Sequence, residues 1–246
     1  MTTLTENTDS AVKNYHDLYL QQQDKLAGKN VAWLNELRNT ALQEFMAHGF
    51  PSIKDEDWKY TNTQPLTKHS FTNDFLKPDD GQITFTQFIP THLDCQQLVF
   101  IDGQYAAHLS KINNNHTIEI SSLAQKLTTN PEQVKPYLGK IVATEPHGFT
   151  ALNTIFINDG AYIHIAPNSS VNTPIQIIYL STGRTEKTFT SLRNLIVIEE
   201  NSQANILENY IGVGNNRYFS NNVTEVFLGK NSTLEHYKLQ QEGAQA

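Results

Sequence analysis

The chain has 246 residues, enough for one large or two ordinary domains with a substantial core, so folding requires no disulfide or metal. Charged residues make up 17% of it, the formal net charge is −7, and Lys and Arg never cluster, which excludes a broad nucleic-acid surface. Cys95 is the single cysteine; it excludes an internal disulfide and a self-contained metal–thiolate cluster, and its plain reading is a small buried hydrophobe.

In chain order, Met1 to Ser10 is polar and shows no basic stretch leading into an apolar one, so no secretory signal is expected. Apolar runs such as that from Leu195 to Ile198 are too short to span a bilayer, and the expected location is cytoplasmic. A first helix is expected from about Ala11 to Ala27, capped by Asp9 or Ser10 and stopped by Gly28, with Val12, Tyr15, Tyr19 and Leu26 as its stripe. A second carries Leu34, Leu37, Ala41 and Phe45 on one face and ends at Gly49-Phe50-Pro51.

The period changes near Leu98-Val-Phe-Ile101, which runs into Asp102-Gly103 and then Gln104-Tyr105, the pattern of a strand entering a tight hairpin. Asn130-Pro131 with Gln133 combines an N-cap, a first-turn proline and a capping-box partner, so a short helix is expected there with Gly139 as its stop. Beyond about residue 147 no further strong helix signal is found.

The second half contains an imperfect repeat. Ile163-His-Ile165 leads to Asn168-Ser169, Ile196-Val-Ile198 to Asn201-Ser202, and Val226-Phe-Leu228 to Asn231-Ser232; the Asn-Ser pairs are 33 and 30 residues apart. Each is followed by a second β-rich run: Ile175 to Leu180, Ala204 to Ile211, and Leu234 to Leu239. Units of this length stacked in register make a parallel β-helix, with Ile163/Ile165, Ile196/Ile198 and Val226/Leu228 as inward ladders and the residues between them facing outward. The facing of the second runs is left open. Asn168, Asn201 and Asn231 are read as a structural turn ladder, since asparagine satisfies local backbone groups and stacks on its counterpart one coil away.

Signatures of catalysis are absent. The sequence has no phosphate loop ending in Lys-Ser or Lys-Thr, no Gly-x-Ser-x-Gly elbow and no His-Glu-x-x-His helix. Nine histidines are scattered, and His147, His164 and His236 lack partners at ligand spacing. A β-helix enzyme acting on carbohydrate is an alternative, but it needs clustered carboxylates, and Glu208, Glu225 and Glu235 do not share a register. A plain β-solenoid interaction module is another.

Asp55-Glu56-Asp57-Trp58-Lys59-Tyr60-Thr61 is followed, in order, by Leu98 to Gly103, Phe149-Thr-Ala-Leu-Asn153 with Asp159-Gly160, Pro174-Ile175, Arg193-Asn-Leu-Ile-Val197, and Thr224 to Gly229 with His236 to Gln240. This ordered set, spanning roughly residues 45 to 246, resembles the SufB/SufD family of iron–sulfur cluster assembly scaffolds, its SufD branch most. The resemblance implies a mainly β chain with an α-helical N-terminal region: a helical domain over 1–95, a connection with a hairpin and helical insertion over 96–145, and a partial right-handed parallel β-helix over 146–246.

It also implies a non-catalytic subunit working with SufB-like and SufC-like (ATPase) partners, the cluster being held transiently by the complex and no cofactor by this chain alone; whether a flavin associates is left open. Family members are longer, and their later coils and helical carboxy-terminal region carry the SufB pairing, the implicated histidine and the SufC contact. No catalytic or metal residue is therefore carried over, and a chain ending at Ala246 is expected to be truncated and to bind SufC weakly or not at all. Glu56, Trp58, Lys59 and Tyr60 are read as a partner-contact or packing motif.

Overall fold

The first third is helical in the computed structural model, which describes residues 2–73, 94–142, 147–184, 186–244 and 246. Helix α1 spans Thr2–Gln22. It starts earlier than the sequence reading placed it, because no Gly or Pro interrupts residues 2–10, so Asp9 and Ser10 lie inside the helix and do not cap it. It also ends earlier, tightening into a 3-10 turn over Gln23–Lys25 before Gly28 at φ 67°. Val12, Tyr15, Tyr19 and Leu26 are all buried.

Helix α2, Ala32–His48, buries Leu34, Ala41 and Phe45, while Leu37 is half-buried. Gly49 follows at φ 65° and donates its N–H to the Phe45 carbonyl at 2.8 Å. Arg38 lies on the buried face, where the sequence pattern gave no reason to place a cation. Its Nη2 donates to the carbonyls of Ala27 (2.7 Å) and Ile157 (2.6 Å), clipping α2 to the chain before it and to the β region. Burial pushes the guanidinium down to about 10.

After α2 comes a single-turn helix, α3 (Gln64–Thr67). Strand β1 (Gln96–Ile101) turns through Asp102 (φ 46°) and Gly103 (φ 80°) into β2 (Gln104–Tyr105), the paired positive φ values that a two-residue hairpin needs. Strand β3 (Ile118–Ser122) runs into α4 (Leu123–Thr129), absent from the sequence reading and capped by the Ser122 hydroxyl, which accepts from the Gln125 N–H at 3.3 Å. Helix α5, Pro131–Val134, is a single turn, and the Asn130 side chain donates to the Gln133 amide oxygen without capping the backbone.

A further helix, α6 (Gly148–Ile155), corrects the expectation that no more helices follow residue 147. It is only eight residues long, little over two turns, and opens on a glycine, so the sequence offers too few repeats for its stripe to register as a helix. The expected boundaries near residues 95 and 145 border 74–93 and 143–146, which lie outside the described residues.

The remaining strands form a mixed α/β architecture with parallel sheets. In sequence they are β4 (Ala161–Ile165), β5 (Ile175–Ser181) and β6 (Thr188–Thr190); β7 (Arg193–Ile198), β8 (Gln203–Gly212) and β9 (Tyr218–Ser220); and β10 (Val223–Leu228) and β11 (Thr233–Gln241). One sheet is ordered β10-β7-β4-β3, a second β11-β8-β5-β1-β2, and a short third, not foreseen from sequence, pairs β6 with β9. All pairings within β4–β11 are parallel; β3 joins β4 antiparallel, and β1 joins β5 parallel.

Ile163, Ile196 and Val226 align across one sheet, as do Ile165, Ile198 and Leu228. The four isoleucines are fully buried in a core shared with Leu98, Phe100, Ile175, Ile177, Tyr179 and Ile206. Burying each such side chain is worth about 1.5–3 kcal/mol. The second runs thus point Ile175, Ile177 and Tyr179 inward, while Ile178 and Leu180 pack in another cluster on the opposite face with Val99 and Ile101. Leu228 departs from the expected ladder: it is 53% exposed on the edge strand β10. Nor is the other face of that sheet open to solvent, since Tyr162, Leu195 and Val197 are buried under Leu34, Leu123, Leu127, Val134 and Leu138. Tyr15 of α1 and Phe156 pack on Phe189 of the short third sheet, at ring separations of 5.2 and 5.3 Å.

Candidate functional site

The inward row of the second sheet changes chemistry along the stack. Ile175 aligns with Ile206 and then His236, Ile177 with Glu208 and then Lys238, and Tyr179 with Tyr210 and then Gln240. A carboxylate therefore occupies a position whose neighbour in the preceding layer is an isoleucine. The Glu208 side chain is only 2% exposed, and such a charge persists only if it is fully paired.

Three groups supply that pairing: the Tyr210 hydroxyl donates to Oε2 at 2.5 Å, the Thr224 hydroxyl to Oε1 at 3.1 Å, and His236 Nε2 lies 2.8 Å from Oε1. Thr224 and His236 belong to β10 and β11, so a single carboxylate ties both later strands to β8. Lys238 Nζ sits 4.4 Å from the Tyr210 ring centroid, and that ring packs 4.6 Å from Tyr179.

Burial alone would raise the Glu208 carboxyl, but the His236, Tyr210 and Thr224 hydrogen bonds outweigh it and hold the group below its usual range. Tyr210 is raised by burial and by the Glu208 charge, so its hydroxyl keeps its proton and acts as a donor. The carboxylate is thus an anion with its acceptor positions engaged. That arrangement suits holding strands together better than abstracting a proton from a substrate.

A second polar network lies beneath the helices. Arg193 donates through Nε (3.0 Å) and Nη2 (2.8 Å) to Glu225 Oε1, both side chains being wholly buried. Glu225 also accepts the Gly139 N–H at 2.8 Å and the Ile141 N–H at 3.2 Å. Arg193 Nη1 reaches Asn153 Oδ1 of α6 at 2.9 Å, and Asn153 Nδ2 donates to the carbonyls of Leu192 (2.9 Å) and Asn221 (2.7 Å). Sequence reasoning missed both Glu208 and the Arg193–Glu225 pair. The available signal for Glu208 was parity, since it falls two residues after Ile206 on the inward side of a strand.

Asn168, Asn201 and Asn231 adopt φ values of 57°, 55° and 57°. Asn201 Nδ2 donates to Asn168 Oδ1, and Asn231 Nδ2 to Asn201 Oδ1, each at 3.1 Å, so the amides engage one another along the exposed turn. The Trp58 segment lies elsewhere in the fold. Trp58 closes a 3-10 turn over Glu56–Trp58 and packs 5.1 Å from Phe149 and 5.8 Å from His147, next to α6. Lys59 pairs with Glu56 and lies 5.3 Å from the ring of Tyr60, which is 92% exposed. No hydrogen bond or ring contact joins this segment to the asparagine ladder among the described residues.

Cys95 is buried; its thiol donates to the Gln176 amide oxygen at 3.4 Å, and burial pushes it up. His164 Nε2 lies 3.2 Å from Glu199 Oε1. Among the described residues no three His, Cys, Asp or Glu side chains converge to hold a metal, and no helix is long and apolar enough to cross a membrane.

Comparison with known proteins gives two family matches: the SufBD protein N-terminal region over residues 9–177, and the SUF system FeS cluster assembly, SufBD core domain over residues 179–246. The chain is similar to the iron–sulfur cluster assembly SufBD family protein slr0076 of Synechocystis, with 27% identity over 91% of this chain and 51% of that one. It is also similar to the iron–sulfur cluster assembly protein SufD of Bacillus subtilis (27% identity; 83% of this chain, 48% of that one) and of Escherichia coli (22%; 95% and 50%). The chain spans about half the length of these curated relatives. With both matches following one another along the chain, it belongs to the SufBD family, and within that family it is most like SufD.

Proposed function

We propose that this chain serves in iron–sulfur cluster assembly as a non-catalytic, cytoplasmic scaffold subunit, working with SufB-like and SufC-like partners. The observation that carries this reading is the in-register parallel stacking of β4, β7 and β10 beside that of β5, β8 and β11, in a chain matched over residues 9–177 and 179–246 by SufBD family models. We read these layers as coils of a right-handed parallel β-helix over 146–246, the hand following the general preference of parallel crossovers. Residues 1–95 then form a helical domain against it, and 96–145 the connection.

Such a stack is rigid because each layer is hydrogen-bonded to the next, and β4 and β7 bury one continuous isoleucine row. Its buried Arg193 and Glu225 are paired with each other and Glu208 is hydrogen-bonded on both oxygens, which fits a platform better than an active site. In this reading the chain alone holds no cofactor, and the cluster is held transiently by the assembled complex. The Trp58 segment, with Tyr60 outward, is the candidate partner contact.

The test is affinity purification of the tagged chain from its native cytosol, together with iron–sulfur enzyme assays in a deletion strain. Co-purification of SufB-like subunits, with SufC-like subunits recovered through them because direct SufC binding is expected to be weak or absent, and reduced activity of those enzymes are expected. Unchanged iron–sulfur enzymes with no such partners would reject the scaffold in favour of an unrelated solenoid module, and polysaccharide cleavage would favour a carbohydrate enzyme.

A further inference from the structure

We draw no further inference here: the strongest candidate, the polar groove of about 500 Å³ lined by Asp94, Cys95, Gln96, Lys111 and Asn172 beside β1, rests on a lone buried cysteine whose thiol is already bonded to Gln176, and nothing else in the groove points to a ligand.

Discussion

Replacing Arg193 by Met tests whether the network beneath the helices holds the layers to α6. The substitution keeps most of the stem but leaves the buried Glu225 carboxylate with only the Gly139 and Ile141 amides, and it removes the Nη1 donor from Asn153. Breaking one side of a buried ion pair costs roughly 3–5 kcal/mol, because an uncompensated charge stays behind. For a chain of this size that is a fall in Tm of about 10 °C. Glu225→Met is expected to cost a similar amount, since the Arg193 guanidinium, which burial already pushes down, loses its counter-ion.

The double variant R193M/E225M leaves no stranded charge, only the two backbone donors and the Asn153 amide oxygen, each costing about 1–3 kcal/mol if unmet. Its total is therefore expected to fall short of the summed single losses by about 2 kcal/mol or more. Urea titration of the four proteins, with equal slopes required, gives the coupling directly. A single-variant loss under about 1 kcal/mol, or strict additivity, would show that the pair is not the joint described here.

The remaining predictions concern the other polar features. Glu208 sits below its usual carboxylate range in the folded state, so its contribution is fully present above the unfolded value, near pH 4, and is lost as pH falls through the lower folded value. Glu208→Gln is accordingly expected to flatten the acid limb of stability between about pH 5 and pH 2, followed by urea midpoints; matching acid limbs in variant and parent refute it. Asn201→Ala loses both ladder bonds and places a Cβ-bearing residue without a local amide at φ 55°, for an expected cost of about 1–2 kcal/mol, with Asn201→Gly costing clearly less. Equal denaturation midpoints for the two would count against the left-handed turn as the cause. Trp58→Ala is expected to cost about 1–3 kcal/mol through lost packing on Phe149, whereas Tyr60→Ala stays within about 0.5 kcal/mol. If Tyr60→Ala also leaves capture of SufB-like and SufC-like partners unchanged, the exposed side of this segment is not the contact.

Much of the layout was legible in the residues themselves. The stripes of α1 and α2, the Asp102-Gly103 hairpin and the three Ile-x-Ile units are periodic or stereochemical signals, written into consecutive residues and independent of what packs on them. The helix bounds were less so: α1 extends back through Asp9 and Ser10 because a potential cap acts only where the chain stops being helical. Helix α6 escaped because its eight residues span little over two turns, too few repeats for its stripe to register. Leu228 shows the opposite failure, an aliphatic in the right register that stands on an edge strand with little over it.

The sequence by itself determined which residues repeat, and with them the spacing of the strands and the family, because those depend on local order along one chain. Only the tertiary structure decided that Glu208 meets Thr224 and His236, that Arg193 meets Glu225 and Asn153, and that helices cover a face expected to look outward. A buried charge is tolerated solely by partners brought from distant segments, and the identity of those partners is a property of the packed layers, which spacing along the chain does not encode.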